Sequence, residues 1–346
     1  MKYIIIVGTR PQFLKLSPLV NKMQMLNLNY IIIHSGQHYD EDMSENLFKT
    51  LNIKEPDYLL YITGSTIIEK LCNMMCEIEK ICLKENPDKI IVFGDCDTTI
   101  SGALVANKLK INLIHIEAGM RSYNKDMPEE INRIITDNIS NTLLCSTPDS
   151  LDKLNNENIT KNIYFVGNLQ LELLNNCCTM YHNEDILINN NITKNNYVLL
   201  TIHREYNTNK KMLEFFFKEL KKINKYIIFP IHPRTKKIIL TNNILIPENI
   251  IQINPVNYLD MTILQRYCCY IITDSGGIQP EANYLNKKCI ILRKETEWIY
   301  EINNGNNILY DYNTSLDIFI NTFLKVPKTY EYKLTLNVSS NILNYL

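Results

Sequence analysis

Little in this chain would draw it to a polyanion or a lipid surface. Its 36 Lys and Arg nearly balance 37 Asp and Glu, for a formal net charge of −1. So small a field offers nucleic acid or an anionic membrane no general attraction, and neither partner is expected. No run reaches the ~18 consecutive apolar residues of a membrane-spanning helix. Residues 2–7 (KYIIIV) are apolar but stop at Gly8-Thr9-Arg10-Pro11 without a cleavage pattern, so no secretory signal is expected. Cys-x-x-Cys pairs are missing too: the ten cysteines are scattered or adjacent, as in Cys177-Cys178 and Cys268-Cys269. That argues against a zinc ribbon or a disulfide framework and for reduced, small core residues of a cytoplasmic protein. An anionic ligand would have to be held by a few placed cations.

Hydrophobic residues make up 45% of the 346 and charged residues 21%, a globular composition at a length that suits two domains. Short, β-branched-rich apolar segments alternate with helical patterns in two successive runs. The first predicts strands at 3–7, 30–33, 89–93, 112–116, 142–145 and 163–166, and helices near 12–25, 41–51, 65–84, 98–108 and 129–139. The second predicts strands near 197–201, 226–230, 250–253, 269–273 and 289–292, and helices near 209–223, 234–241, 258–267 and 278–285. Apolar strands without alternation belong to parallel sheets covered on both faces. The Asn-rich stretch 182–196 reads as a linker, led into by a helix at 168–178. The expected fold class is α/β, with two Rossmann-like doubly wound domains at 1–167 and 168–346, the final helix being free to pack back on the first. Ligands then belong at the carboxyl ends of strands and in the cleft between domains. Heavy use of Asn, Ile, Lys and Tyr reflects coding bias at least as well as function.

The polar clusters follow predicted strands. Gly8-Thr9-Arg10-Pro11-Gln12 closes the first strand and opens a helix, which puts the Arg10 guanidinium beside backbone N–H groups, an arrangement that suits phosphate. A solvated Arg on an ordinary turn is the plain alternative. Asp274-Ser275-Gly276-Gly277-Ile278-Gln279-Pro280-Glu281 lets backbone amides approach a phosphate closely, with Ser275 as a donor and Glu281 one turn on to accept from a ribose. Asp95 in FGDCDTT and Glu117 in HIEAGMRS follow buried-type strands, and Glu129 and Glu130 open a helix in MPEEINR. Simple capping explains Asp97 and Glu130. Asp95 and Glu117, brought together, could supply an acid–base set. His203-Arg204 heads a positive pair that could stabilise a leaving diphosphate. His34 and His38 are four apart, but Gly36 argues against a helix there and no carboxylate completes a metal triad, so no metal is expected.

Together these pieces resemble the non-hydrolysing UDP-N-acetylglucosamine 2-epimerase family. The matching segments are VGTRPQFLKLSPLV, SGQHYDEDM, VFGDCDTT, HIEAGMRS, MPEEINR, TIHREYN, PIHPRT, TDSGGIQPEA and LRKETEW, in family order across residues 4–298. The resemblance implies a GT-B-type pair of domains with an interdomain site, no cofactor, and a likeness to homodimeric enzymes. It implies anti elimination of UDP to a 2-acetamidoglycal, then re-addition with C2 inverted. It makes Asp95, Glu117, Glu129 and His203 the catalytic candidates. Arg10, Lys15, Gln37, Arg133, Ser275, Gly276, Gly277 and Glu281 become the candidate contacts to a UDP-sugar. Four positions depart from common family usage: Gln12 for Glu, Tyr206 for an acidic residue, Met261 for Phe and Trp298 for Arg. They bear on which UDP-2-acetamido sugar is taken, since some relatives use 6-deoxy or diacetamido forms. A GT-B glycosyltransferase, a hydrolysing epimerase and a non-catalytic UDP-sugar binder are the other readings.

Overall fold

A computed structural model describes residues 1–37, 48, 50–51, 53–303, 306–327 and 337–346. The elements run β1 (Lys2–Val7), α1 (Arg10–Met25), β2 (Asn29–His34), β3 (Tyr58–Leu59), α2 (Ile67–Glu85), β4 (Lys89–Phe93), α3 (Asp97–Lys108) and β5 (Asn112–Ile116). Then come α4 (Pro128–Ile139), β6 (Thr142–Cys145), α5 (Pro148–Asn156), β7 (Ile163–Phe165), α6 (Leu169–Met180), α7 (Asp185–Asn189), β8 (Tyr197–Thr201), α8 (Glu205–Thr208) and α9 (Lys210–Leu220). The chain continues through β9 (Tyr226–Pro230), α10 (Pro233–Thr241), β10 (Ile250–Ile253), α11 (Tyr258–Tyr267), β11 (Tyr270–Thr273), α12 (Ile278–Tyr284) and β12 (Cys289–Ile291). It ends in α13 (Ile299–Asn303), β13 (Asn307–Leu309), α14 (Leu316–Lys325) and α15 (Val338–Leu343).

Two compact units result: Met1–Leu173 with Leu334–Leu346, and Leu174–Lys333. The chain passes from one to the other within α6. Among the described residues the first unit holds a parallel sheet ordered β3-β2-β1-β4-β5-β6-β7 and the second a parallel sheet ordered β10-β9-β8-β11-β12-β13. Each sheet winds outward from its first strand in one direction and then resumes on the other side. The switch points lie between β1 and β4 and between β8 and β11, where doubly wound sheets open a crevice for ligands.

β8 shows why such strands read as unbroken apolar runs. Val198 and Leu200 enter a core with Phe216, Phe217 and Phe229. Tyr197 and Leu199 enter a second core with Ile263, Leu264 and Ile278. With both faces covered, each large side chain contributes about 1.5–3 kcal/mol of burial, and a polar residue on either face would forfeit it. In the first unit, Ile4, Ile6, Ile90 and Val92 pack with Met74, Ile78 and Ala103. Helix α15 returns to this unit: it packs on α1, and its Ser339 N and Oγ donate to Glu172 at 2.6 and 2.7 Å.

Helix stops rest on asparagine. The chain has only ten glycines, while Asn27, Asn86, Asn158, Asn191, Asn243 and Asn286, all at helix ends, have φ between 46° and 63°. Asn86 ends α2, whose start is fixed reciprocally: Glu69 N donates to Thr66 Oγ1 at 3.1 Å and Thr66 N to Glu69 Oε2 at 3.0 Å. A Cβ-bearing residue without an amide to bond locally costs about 1–2 kcal/mol in this left-handed conformation. Asn86→Ala should therefore lose about that much stability in urea denaturation, whereas Asn86→Gly should lose none.

The stretch 182–196 is not a free linker. Leu187 of α7 is buried in the second unit's core, with Ile186 and Ile192 packed against it. Its Asn-rich surface hid three apolar anchors too widely spaced to show a period. The helix expected at 41–51 lies outside the described residues apart from 48, 50 and 51. β3, α5, α7, α8, β13, α13, α14 and α15 were not delimited from sequence; most are too short to carry a period. The cysteines split: burial pushes the thiols of Cys82, Cys177 and Cys268 up to about 12, as core residues should be, but Cys72 and Cys76 lie exposed on α2.

Candidate active site

At the first switch point the end of β1 is pressed against its neighbours. A Cβ on Gly8 would fall 1.9 Å from Ser35 Oγ and 2.3 Å from Thr98 Oγ1, so only glycine fits. Gly8 N and Thr9 N donate to Gln12 Oε1 at 2.8 and 3.2 Å, and Gln12 Nε2 donates to the Phe93 carbonyl at 2.8 Å. One amide thus ties the β1 turn to the end of β4, a bond that an ionised Glu could not donate. Arg10 opens α1 from an exposed position. Gln37 is turned toward the protein: its Oε1 accepts from Thr98 N at 3.0 Å and Thr98 Oγ1 at 2.8 Å, which holds the first turn of α3. His38 lies outside the described residues. Burial pushes the His34 imidazole down to about 4, and its Nδ1 accepts from Gly36 N at 2.8 Å.

The carboxylates gather on the neighbouring strand ends. Phe93 pairs with Ile116 across β4 and β5, so Asp95 and Glu117 leave adjacent strands on the same side. A Cβ on Gly94 would lie 3.2 Å from Glu117 Oε2. Glu117 is 6% exposed and has φ 71°, a strained setting for a residue with a long side chain. Its Oε2 is paired with Lys15 Nζ, while its Oε1 is buried with no hydrogen-bond partner. Leu144 O pins the backbone from behind by accepting from Glu117 N at 3.0 Å and Ala118 N at 3.2 Å. A strained, half-satisfied buried carboxylate is an arrangement that an apolar core would not retain without use.

Asp95 is the more open of the two, its side chain 35% exposed and paired with Arg133 Nη1. Asn132 Nδ2 donates to its carbonyl at 2.9 Å. Arg133 is fully committed: its Nε and Nη2 also donate to Glu130 Oε2 at 3.1 and 2.8 Å. Burial works to raise the Glu130 pKa, but the Ser122 and Tyr123 amides and Arg133 outweigh it and hold the group low. Glu130 is therefore a fixed anion under Arg133. Glu129, beside it on the first turn of α4, is half buried and joins neither ion pair.

The second switch point carries the other motifs. His203 follows β8 and Asp274 follows β11. Asp274 Oδ1 lies 3.0 Å from His203 Nδ1, and the carboxylate also accepts from His203 N, Arg204 N at 2.9 Å and Asn207 Nδ2 at 3.2 Å. Burial opposes its charge, yet His203 and these donors hold the Asp274 pKa below the ordinary value. The carboxylate thus accepts a hydrogen bond from Nδ1–H and leaves His203 Nε2 on the far side of a ring that is 37% exposed. Sequence reasoning placed Asp274 in a phosphate motif and missed this role. The signal was there, a polar residue at the end of the strand next to β8, but the pairing of β8 with β11 is needed to read it.

Next to Asp274, Ser275 N donates to Thr273 Oγ1 at 2.9 Å, which turns the Ser275-Gly276-Gly277 segment away from β11 toward α12. A Cβ on Gly276 would meet Glu297 Oε1 at 2.9 Å and come within 3.6 Å of Trp298 Nε1. Glu281, 2% exposed, accepts from Tyr258 Oη at 2.8 Å and Gln265 Nε2 at 2.7 Å. Tyr206 stands 51% exposed near Arg293 and Arg204; burial raises its phenol, which stays neutral despite the two cations. Met261 packs at the margin of the core. Among the described residues no three metal-ligating side chains cluster, and no helix is long and apolar enough to cross a membrane.

Residues 21–326 match the sequence model of the family described as UDP-N-acetylglucosamine 2-epimerase. A UDP-N-acetylglucosamine 2-epimerase of Methanocaldococcus jannaschii is 41% identical over 322 residues, covering 89% of this chain and 88% of its own. A UDP-2,3-diacetamido-2,3-dideoxy-D-glucuronate 2-epimerase of Pseudomonas aeruginosa is 37% identical over 315 residues, covering 89% and 88%. Among solved structures, the M. jannaschii UDP-GlcNAc 2-epimerase in complex with UDP-GlcNAc and UDP matches with a TM-score of 0.90 at 38% identity, over 100% of both chains.

Proposed function

This chain belongs to the UDP-N-acetylglucosamine 2-epimerase family, and from that membership we propose that it inverts C2 of a UDP-2-acetamido sugar. Its fold is the GT-B type of those enzymes, two Rossmann-like α/β domains. UDP-GlcNAc and UDP-ManNAc are the proposed pair, with 6-deoxy or diacetamido UDP-sugars as the nearest alternatives. The observation that carries the reading is the juxtaposition of Glu117 and Asp95, one strained and half satisfied, the other open, at the ends of adjacent strands.

In the forward half-reaction the C1–O bond breaks and its electron pair leaves on the β-phosphate oxygen. The C2–H pair becomes the C1=C2 bond of the glycal, and the proton passes to a carboxylate. C2–H is weakly acidic, so departure of UDP leads and positive charge builds at C1. Donors at the diphosphate therefore act on the transition state more than on bound substrate. The Ser275, Gly276 and Gly277 segment, Arg10 and His203, held by Asp274, are assigned to that task, and Glu281 to the ribose. Asp95 and Glu117 are assigned to proton removal and return at C2, with Glu129 as the third candidate. Lys15 orients Glu117 and Arg133 orients Asp95 through their ion pairs. Re-addition delivers a proton to the other face of C2 while the UDP oxygen attacks C1. The resemblance further supports a cytoplasmic homodimer, which light scattering tests.

Incubation with UDP-GlcNAc alone in D2O, followed by proton NMR, should yield UDP-ManNAc carrying deuterium at C2. Free 2-acetamidomannose with UDP as the main product would instead make this a hydrolysing enzyme. Absence of exchange with every UDP-2-acetamido sugar would leave only binding.

A further inference from the structure

His115 and Arg121 are the titratable side chains of HIEAGMRS that no step above employs, and His115 lies between the two carboxylate loops. It sits on β5 with no exposed surface. Its Nε2 lies 2.7 Å from the Gly94 carbonyl and its Nδ1 2.7 Å from Asp137 Oδ1, on α4. A carbonyl oxygen only accepts, so Nε2 must carry a proton and donate it. A second proton must lie between Nδ1 and Oδ1, because two bare acceptors would repel at that distance. The pair is net neutral whichever atom holds that proton. The other oxygen, Asp137 Oδ2, accepts from Gly119 N at 3.1 Å and Arg121 Nη1 at 2.7 Å. Arg121 is anchored in turn on Glu157 by two bonds of 2.7 and 2.6 Å.

Both ends of this buried chain stop on a glycine with positive φ, Gly94 at 64° and Gly119 at 75°. Gly94 immediately precedes Asp95, and Gly119 follows Glu117 by two residues. Glycine has the widest choice of backbone angles, so these are the points at which the two carboxylate loops would otherwise swing. We propose that His115 and Asp137 are positioning residues that fix the backbone on which Asp95 and Glu117 are carried, by holding the Gly94 carbonyl on one side and the Gly119 amide on the other. A single pair thereby sets the spacing of both acid–base groups. The value of such a brace is kinetic: a displacement of about 1 Å at a reacting group costs about 100-fold in rate.

The proposal rests on the epimerase reading for its kinetic consequence, and its test separates the two. Asp137→Ala removes the brace. Asp137→Asn restores it: the amide donates to Nδ1 of a neutral His115, whose Nε2 still donates to Gly94, while Oδ1 accepts from Gly119 and Arg121. The expected result is kcat down about 100-fold in Asp137→Ala with KM within about threefold, and kcat in Asp137→Asn within about fivefold of wild type. The ring 15N spectrum of His115 in the wild-type protein should show Nε2 protonated. Full turnover in Asp137→Ala overturns the proposal, as does Asp137→Asn being as slow as Asp137→Ala. An unprotonated Nε2 also overturns it, and that measurement decides the matter if Asp137→Ala does not fold. Should wild type act on no UDP-sugar, the epimerase reading fails and the nitrogen spectrum alone judges the brace.

Discussion

Asp95→Asn and Glu117→Gln each lower epimerase turnover by about 10²–10⁴-fold, the range that positioned acid–base groups supply, while UDP binding is retained. The substitutions keep the shape of each side chain and leave an oxygen for Arg133 or Lys15 to bond, so what they remove is the capacity to take and return a proton. The residues assigned to UDP, from Ser275 to Glu281, lie in a unit with its own sheet and its own cores, which neither change touches. Turnover by NMR and UDP binding by calorimetry make the check. Unchanged rates in both variants would remove these carboxylates from the chemistry. Loss of UDP binding together with rate would point to a damaged protein instead.

The largest effect on stability should come from Lys15→Met, at about 3–5 kcal/mol. Lys15 and Glu117 are buried together, with side chains 11% and 7% exposed, and Glu117 Oε1 already lacks a partner. Removing the cation leaves an anion in a setting that cannot solvate it. The desolvation cost of the remaining charge, more than the lost attraction, sets the size of the effect. Adding Glu117→Gln to Lys15→Met should recover a large part of the loss, since neither charge then remains. The comparison is a double-mutant cycle in urea, and a coupling below about 0.5 kcal/mol would show that the two side chains do not depend on one another.

Motif order and strand position were legible along the chain because each is a local matter. Unbroken apolar segments such as 197–201 announce strands covered on both faces, and Gly-containing clusters directly after them announce carboxyl-end turns. Asp95, Glu117, His203 and the Ser275 turn stand out that way, whereas Glu129, at a helix start, is a candidate through the family resemblance alone. The elements Tyr58–Leu59 and Asp185–Asn189 were not legible, since two residues make no apolar run and five cannot display a helical period.

Partnerships across the sheet are another matter. Nothing local links Lys15 to Glu117, 102 residues apart, Asp95 to Arg133, 38 apart, or His203 to Asp274, 71 apart. The family resemblance makes Lys15 and Arg133 candidate contacts to a UDP-sugar; the fold adds that their ammonium and guanidinium groups pair with Glu117 and Asp95. Asp274 and His115 gained roles only once β8 lay beside β11 and β5 beside β4. Chain chemistry decides which residues end each strand, because propensity and turn geometry act over a few neighbours. The order of strands, which follows from burying both faces of each sheet at once, decides which of those ends meet, and so which charges are paired, which oxygen is left open and which proton has somewhere to go.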